Sequence, residues 1–239
     1  MFSSPSIKNF STQISNNNLS VTIWDKPLGL SSMYIKSRIS NVERNMLKLT
    51  SRIKSIIIGL VISDGWIQKR IYWNPRFGFK QSIINFPFIW HIYNELAYIC
   101  SGNIYLGKSK LRGNIFYSLS FQSRQLESLM EIYNLFYTNT GTKIIKPELF
   151  EYLDYICIAY WIMGDGSKRN KGITLCTDSF SYKDVVILMN ILKIKFDINS
   201  TIHFEKSKPR IYINNKELLK LLPFIKPYFI NHFLYKINN

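Results

Sequence analysis

Two long apolar runs stand out from a chain whose hydrophobic positions otherwise recur at helix or strand spacing. The first, "IIIGLVISDGWI" (Ile56 to Ile67), passes through a carboxylate and a glycine near its end, and "IAYWIMGDGSK" (Ile158 to Lys168) repeats the pattern. Asp64 and Asp165 lie 101 residues apart, and similar elements follow each. After Asp64 come a strand pattern in "RFGFKQSI", a helix in "PFIWHIYNELAYICS", short strands in "NIYLGKS" and "NIFYSLSFQS", and a helix in "RQLESLMEIYNLFY". After Asp165 come "KGITLCTDS", "SYKDVVILMNILKIKF", "STIHFEKS", "PRIYINN" and "KELLKLLPFIKPYF", in the same order of types. Each half reads as helix, strands, helix, strands, helix, which predicts a duplicated α+β unit with an approximate two-fold axis. Upstream, helical pattern begins near "SNVERNMLKLTSRIKSIIIGLVISDG", with Asn41 placed to cap it and Gly65 past its end. Residues 1–40, rich in Ser and Asn, carry little periodic signal and read as an N-terminal extension, followed by a first repeat at 41–147 and a second at 148–239.

The strands are two-faced. In "NIFYSLSFQS", Ile115, Tyr117, Leu119 and Phe121 share one face, while Phe116, Ser118, Ser120 and Gln122 share the other. In "PRIYINN", Ile211 and Ile213 oppose Arg210, Tyr212 and Asn214. One face can bury against helices and the other is free to touch a polar ligand. Charge suggests which ligand: Lys and Arg number 31 against 15 Asp and Glu, a formal net charge of +16. That is the balance of a polyanion binder. Basic residues follow both aspartates, in "QKRIYWNPR" and "SKRNK", so the charge is spread over a folded surface rather than gathered in a tail. Every apolar run is broken well short of the roughly 18 to 20 residues that span a bilayer, and no long amphipathic helix carries a basic face. Nucleic acid therefore leads over membrane, and an antiparallel ribbon is one of the few elements that fits a DNA groove. Cys100, Cys157 and Cys176 share no close spacing and sit in apolar contexts, as reduced core residues do; His91, His203 and His232 form no finger spacing, which argues against structural zinc.

A carboxylate in the last turn of a helix is locally misplaced, because unsatisfied carbonyls repel it by a few tenths to about 1 kcal/mol. One Asp-Gly is an ordinary stop signal; two at matching positions are not. Gly59 and Ser63 lie one turn apart on one face, and Gly164 stands where Ser63 stands in the other half, so two helices can approach at backbone distance. If they pair, Asp64 and Asp165 arrive together. Two such carboxylates raise each other's pKa unless a cation lies between them, and hard oxygen donors beside a basic surface describe a Mg²⁺ site shared with phosphate.

"IIGLVISDG" (Ile57 to Gly65) and "IAYWIMGDG" (Ile158 to Gly166) resemble the paired signatures of single-chain LAGLIDADG homing endonucleases, a similarity extending over residues 50 to 239. The resemblance implies two αββαββα repeats related by pseudo-two-fold symmetry, with two antiparallel sheets forming a DNA-binding saddle. It implies a monomeric, metal-dependent, site-specific endonuclease that cuts both strands of double-stranded DNA and leaves 3′ overhangs. Mg²⁺, or another divalent cation such as Mn²⁺, is the implied cofactor, with Ca²⁺ substituting without supporting cleavage. Asp64 and Asp165 take the metal-ligand role, and the preceding Ser63 and Gly164 are further candidate donors. A basic residue late in each repeat is also implied: Lys143, with Lys146 competing, and Lys236, lying 79 and 71 residues beyond the aspartates for Lys143 and Lys236. Gln81 and either Thr177 or Asp178 are candidates to support the ligands. Candidate DNA contacts on polar strand faces and on loops are Lys69, Arg70, Arg76, Lys80, Lys108, Lys110, Arg112, Lys168, Arg169, Lys171, His203, Lys206 and Arg210. The sequence departs from the family pattern at Tyr160, opposite Gly59 in the signature, which makes the predicted helix packing less symmetric.

An RNA-binding, intron-splicing maturase on the same fold is the alternative, and a transcription-factor-like binder would have no need of both acids. The abundance of Ile, Asn, Lys, Tyr and Phe, with the resemblance, points to an organelle-encoded, fungal mitochondrial protein.

Overall fold

The computed structural model describes residues 39–238, so the predicted extension lies almost wholly outside the described residues. The chain forms α1 (Asn41–Met46), α2 (Ser51–Ile62), β1 (Trp66–Gln68), β2 (Arg76–Ser82), α3 (Phe86–Glu95), β3 (Tyr105–Leu111), β4 (Asn114–Gln122) and α4 (Met130–Phe136). It continues through α5 (Leu149–Tyr152), α6 (Tyr155–Asp165), β5 (Gly166–Arg169), β6 (Gly172–Leu175), α7 (Tyr182–Phe196), β7 (Thr201–Glu205), β8 (Lys208–Asn214) and α8 (Asn215–Ile225). The strands make two four-stranded antiparallel sheets, ordered β1-β2-β4-β3 and β5-β6-β8-β7. The same order recurs in both, as a duplicated α+β unit requires. β1 and β5, which the alternation did not reveal, are too short to carry a period-two signal and follow directly on the apolar runs.

The two runs become α2 and α6, which pack against each other and are buried along most of their length. The predicted single helix from Asn41 divides into two. Ser40, not Asn41, caps α1, because its hydroxyl accepts from the Glu43 N–H while the Glu43 carboxylate accepts from the Ser40 N–H, a reciprocal pair. Leu47 and Leu49 then turn inward, and Thr50 starts α2 by accepting from the Ile53 N–H at 3.3 Å. Asp154 starts α6: its carboxylate accepts from the Cys157 N–H at 2.8 Å and from the Ser55 hydroxyl of α2 at 2.6 Å. One side chain thus caps a helix and ties it to its neighbour. Asp154→Ala should cost about 1 kcal/mol, the loss of a cap, because the Ser55 hydroxyl keeps its bond to the Ser51 carbonyl at 3.1 Å. Urea unfolding checks this, and adding Ser55→Ala should cost less than the two single losses summed.

Small residues set the depth of the crossing. A Cβ at Gly59 would fall 2.4 Å from the Cys157 carbonyl oxygen and 3.0 Å from Tyr160 Cβ, and one at Gly164 would fall 2.4 Å from Ser63 Oγ. The expected asymmetry is present. Tyr160 is fully buried, and its hydroxyl lies 2.8 Å from His91 Nε2 on α3, with the two rings stacked.

Each sheet buries one face against its helices. Phe77, Phe79, Leu119 and Phe121 meet α3 through Phe88 and Tyr93; Ile173, Leu175, Ile211 and Ile213 share a core with Val185, Leu188 and Leu192 of α7 and Leu218 and Leu221 of α8. A fully buried side chain of this size contributes roughly 1.5–3 kcal/mol, so these rows fix the strand register. Leu119 and Phe121 are buried as the alternation predicts, whereas Ile115 and Tyr117 on the same side remain 50% and 43% exposed, because the β3–β4 hairpin runs out beyond its helical cover. Its two-residue turn, Arg112 and Gly113, has positive φ at both positions, as does the β7–β8 turn at Lys206 and Ser207.

Candidate metal and nucleic-acid site

Pairing of α2 with α6 brings their acidic ends together. A Cβ on Gly164, the residue before Asp165, would lie 3.9 Å from Asp64 Oδ2. Asp64 keeps an open side to solvent, and Asp165 is half-buried. Gln81, at the end of β2, donates its amide N–H to Asp64 Oδ2 and accepts from Asn85 Nδ2 at 3.0 Å, so the carboxylate is held in one orientation. Lys236 is 7% exposed and donates to the last carbonyls of α6, those of Met163 at 2.6 Å and of Ile162 and Gly164 at 3.4 Å. Lys143 donates to the Gly65 carbonyl at 3.4 Å, just past the end of α2. Each lysine serves the C-terminal end of its own helix, where the dipole favours a cation. The approach of Lys143 is fixed by Asp184, which closes a capping box at the start of α7 and also accepts from the Ile145 N–H at 2.9 Å.

These four charges perturb one another. Burial, then repulsion from Asp64, pushes Asp165 up to about 7 against the attraction of both lysines. Burial raises Asp64 as well, opposed by its Gln81 hydrogen bond and then by the two lysines. Burial brings Lys143 and Lys236 each down to about 8, with the aspartates opposing. Because folding raises the Asp165 pKa above 3.8, the unfolded chain loses that proton first. Between pH 4 and 7 the folded state holds the extra proton, so the metal-free protein should lose stability as pH rises through that window, by on the order of 3 kcal/mol. Asp165→Asn should flatten the trend, as thermal melts at stepped pH in chelator would reveal.

The other candidates divide. Lys146 donates to the Asn134 carbonyl and stands apart from the cluster, so of the two competing lysines Lys143 is the one the fold brings in. Thr177 is buried and donates to the Pro209 carbonyl at 2.6 Å; Asp178 is held by Arg210 through bonds of 2.7 and 2.6 Å, although its charge still reaches Asp165. Ser63 and Gly164 form the helix crossing, the Ser63 hydroxyl donating back to α2 carbonyls. Among the basic candidates, register puts Arg76, Lys80, Arg169, His203 and Arg210 on the sheet faces turned away from the helices. Lys69, Arg70, Lys171, Arg112 and Lys206 sit in the connections between strands. Lys108, Lys110 and Lys168 depart from the polar-face expectation, because they pair with Tyr117, Ile115 and Ile173 on the opposite, helix-facing side. The Lys168 ammonium donates to the Asn238 carbonyl at 2.5 Å. Register also adds open-face residues that the sequence reading passed over, Gln68, Ser109, Thr174, Thr201 and Lys208; strand pairing, invisible in a single strand's pattern, was the missing signal.

The sequence profile of the LAGLIDADG DNA endonuclease family matches residues 54–221. This chain belongs to that family. It is 32% identical over 212 residues to the cytochrome b mRNA maturase bI2 of Saccharomyces cerevisiae, a match spanning 83% of this chain and 50% of that one. The chain thus spans about half the length of that maturase. It is 30% identical over 211 residues to the "Probable intron-encoded endonuclease 1" of Wickerhamomyces canadensis, covering 83% and 89% of the two chains. Its fold superimposes on the homing endonuclease I-WcaI, a structure bound to its DNA recognition sequence, with a TM-score of 0.75, 30% identity, and 80% and 88% of the chains covered. LAGLIDADG relatives therefore include both endonucleases and a maturase.

The acid pair of this LAGLIDADG chain fits a divalent cation. Its donors are hard carboxylate oxygens whose raised pKa values mark a place where added positive charge is favourable. No cluster of three or more His, Cys, Asp or Glu occurs among the described residues, so the remaining coordination positions would belong to water and phosphate oxygens. Among the described residues, no helix is long and apolar enough to cross a membrane.

Proposed function

We propose that this chain is a site-specific DNA endonuclease that hydrolyses both strands of a long duplex, with residues 41–147 and 148–239 as its two repeats. The observation that supports it best is the convergence of Asp64 and Asp165 at one end of the paired helices, with a lysine at the end of each helix. Asp64 and Asp165 would hold the divalent cation, Mg²⁺ or Mn²⁺, which when bound supplies Lewis-acid polarisation of phosphate and lowers the pKa of water. Gln81 keeps the Asp64 carboxylate turned toward the shared space. Lys143 and Lys236, brought down to about 8, stand where negative charge builds on the phosphate and exchange protons near neutral pH. The open sheet faces and hairpin tips would lie along the duplex, most of their basic side chains on phosphates.

Incubation with a randomised duplex pool tests this. Sequencing of the cut ends should recover one long asymmetric site with 3′ overhangs in Mg²⁺, and none in chelator or in Ca²⁺; a pool left intact in Mg²⁺ and Mn²⁺ would overturn the reading.

The yeast relative, named a maturase, favours a second activity on the same fold, binding of intron RNA. That activity would survive loss of both aspartates. With the composition, the same relative supports an organelle-encoded, fungal mitochondrial origin.

A further inference from the structure

The open faces of the two sheets differ in one respect that net charge conceals. By strand register, the first presents Gln68, Arg76, Lys80, Ser118, Ser120 and Gln122 among its residues, and no acid. On the second, Glu205 shares the open face with Arg169, His203, Arg210 and Tyr212. A carboxylate facing a polyanion weakens binding, so in a chain of net charge +16 its placement there needs a reason.

Its contacts supply one. Arg210 is gripped by Asp178 through two parallel bonds, Nε to Oδ1 at 2.7 Å and Nη2 to Oδ2 at 2.6 Å, while its Nη1 donates to Glu205. The same Glu205 oxygen accepts from Arg169 Nη2 at 3.1 Å. Arg210, Glu205 and Arg169 line a shallow cavity of about 350 Å³ whose walls include Thr174 and the stacked rings of His203 and Tyr212, 4.5 Å apart, with Asp178 bracing Arg210 from outside it. Arg210 is only 20% exposed although it carries a charge. Arg210 is thereby fixed in direction, and Arg169, 51% exposed, is tethered by single bonds to Glu205 and, at 3.4 Å, to the Thr174 hydroxyl.

We propose that Glu205 is a specificity-determining residue: it restrains Arg169 and Arg210 so that they engage base edges of the matching half-site and not phosphates of arbitrary DNA. This rests on the endonuclease reading above. The carboxylate penalises every non-cognate register equally, whereas a cognate register recovers the penalty through bidentate arginine–base contacts. The first sheet has no such device, so its half-site should be read with less discrimination against random sequence.

The test is selection by binding, without divalent metal, from a randomised duplex pool, using parent, Glu205→Gln, and Glu205→Gln with Arg169→Gln. Glu205 is 47% exposed, so the substitutions should leave the fold intact, which melting curves verify. In Glu205→Gln, affinity for random duplex should rise roughly threefold to tenfold. Its salt slope should steepen by about 0.9, the signature of one extra phosphate contact from the released Arg169. Sequence information should fall in the half-site under the second sheet and hold in the other. The double variant should return random-duplex affinity to the parental level. Loss of information in both halves or in neither, or an unchanged random-duplex affinity, overturns the proposal while leaving the endonuclease reading standing. A parent that enriches no duplex at all removes both.

Discussion

Asp165→Asn is expected to abolish strand cleavage while duplex binding stays within a few-fold of the parent, and Asp64→Asn should do the same. Each substitution keeps the side chain's size and removes one of two carboxylates at a shared point, so the loss in rate should be at least about 10²–10³-fold, the scale of losing one preorganised electrostatic contact to the transition state. Binding should persist because the proposed duplex contacts lie on the open sheet faces and hairpin tips, remote from the helix ends. Unfolding should not account for the loss, since Asn at 165 removes a carboxylate that burial holds up to about 7, and this variant should be at least as stable as the parent near neutral pH. Single-turnover cleavage and gel-shift titration on one duplex decide the matter, and parental rates in both variants would sink the assignment.

Gly59→Ala is expected to lower the melting temperature by roughly 4–8 °C, the equivalent of about 2 kcal/mol for a chain this size. Two effects oppose here. Alanine is the better helix former by about 1 kcal/mol, which alone would stabilise α2. Against it, the new methyl meets the Cys157 carbonyl oxygen at 2.4 Å and the Cys157 Cα at 3.0 Å, both backbone atoms that no rotamer change can move. The helices must separate, and overpacking of this kind costs 1–3 kcal/mol or more. Separation also pulls the two carboxylates apart, so cleavage should fall even at temperatures where the variant is folded. Gly164→Ala meets Ser63 Oγ and Cβ instead, and Ser63→Gly should rescue it. An unchanged or raised melting point for Gly59→Ala would mean the helices are not locked at this depth.

Much of this was legible in the chain because duplication wrote it twice. A single Asp-Gly after an apolar run is uninformative, but Asp64 and Asp165 with matching downstream elements specified the pairing helices and a repeated α+β unit, small residues at 59, 63 and 164 marked the crossing, and the two-sheet architecture came from the family resemblance. What stayed hidden depended on register. Lys108 and Lys110 look like groove contacts in a one-dimensional reading, yet pairing with Tyr117 and Ile115 turns them to the other side. β1 and β5 were too short to show a period. Lys143 and Lys146 are told apart by the carbonyls they reach, those of Gly65 and Asn134, 78 and 12 residues away, which no local pattern announces. In one dimension Tyr160 only makes the signatures less symmetric, while its buried bond to His91 shows itself only in three.

The unequal seam between the central helices has a consequence for how the halves can change. Gly59 lies against the Cys157 backbone and the Tyr160 Cβ, while the Tyr160 ring reaches past the seam to stack on His91 of α3, so each half supplies a different piece of the joint. A substitution on one side therefore has no mirror-image counterpart on the other, and the two halves answer to separate packing constraints.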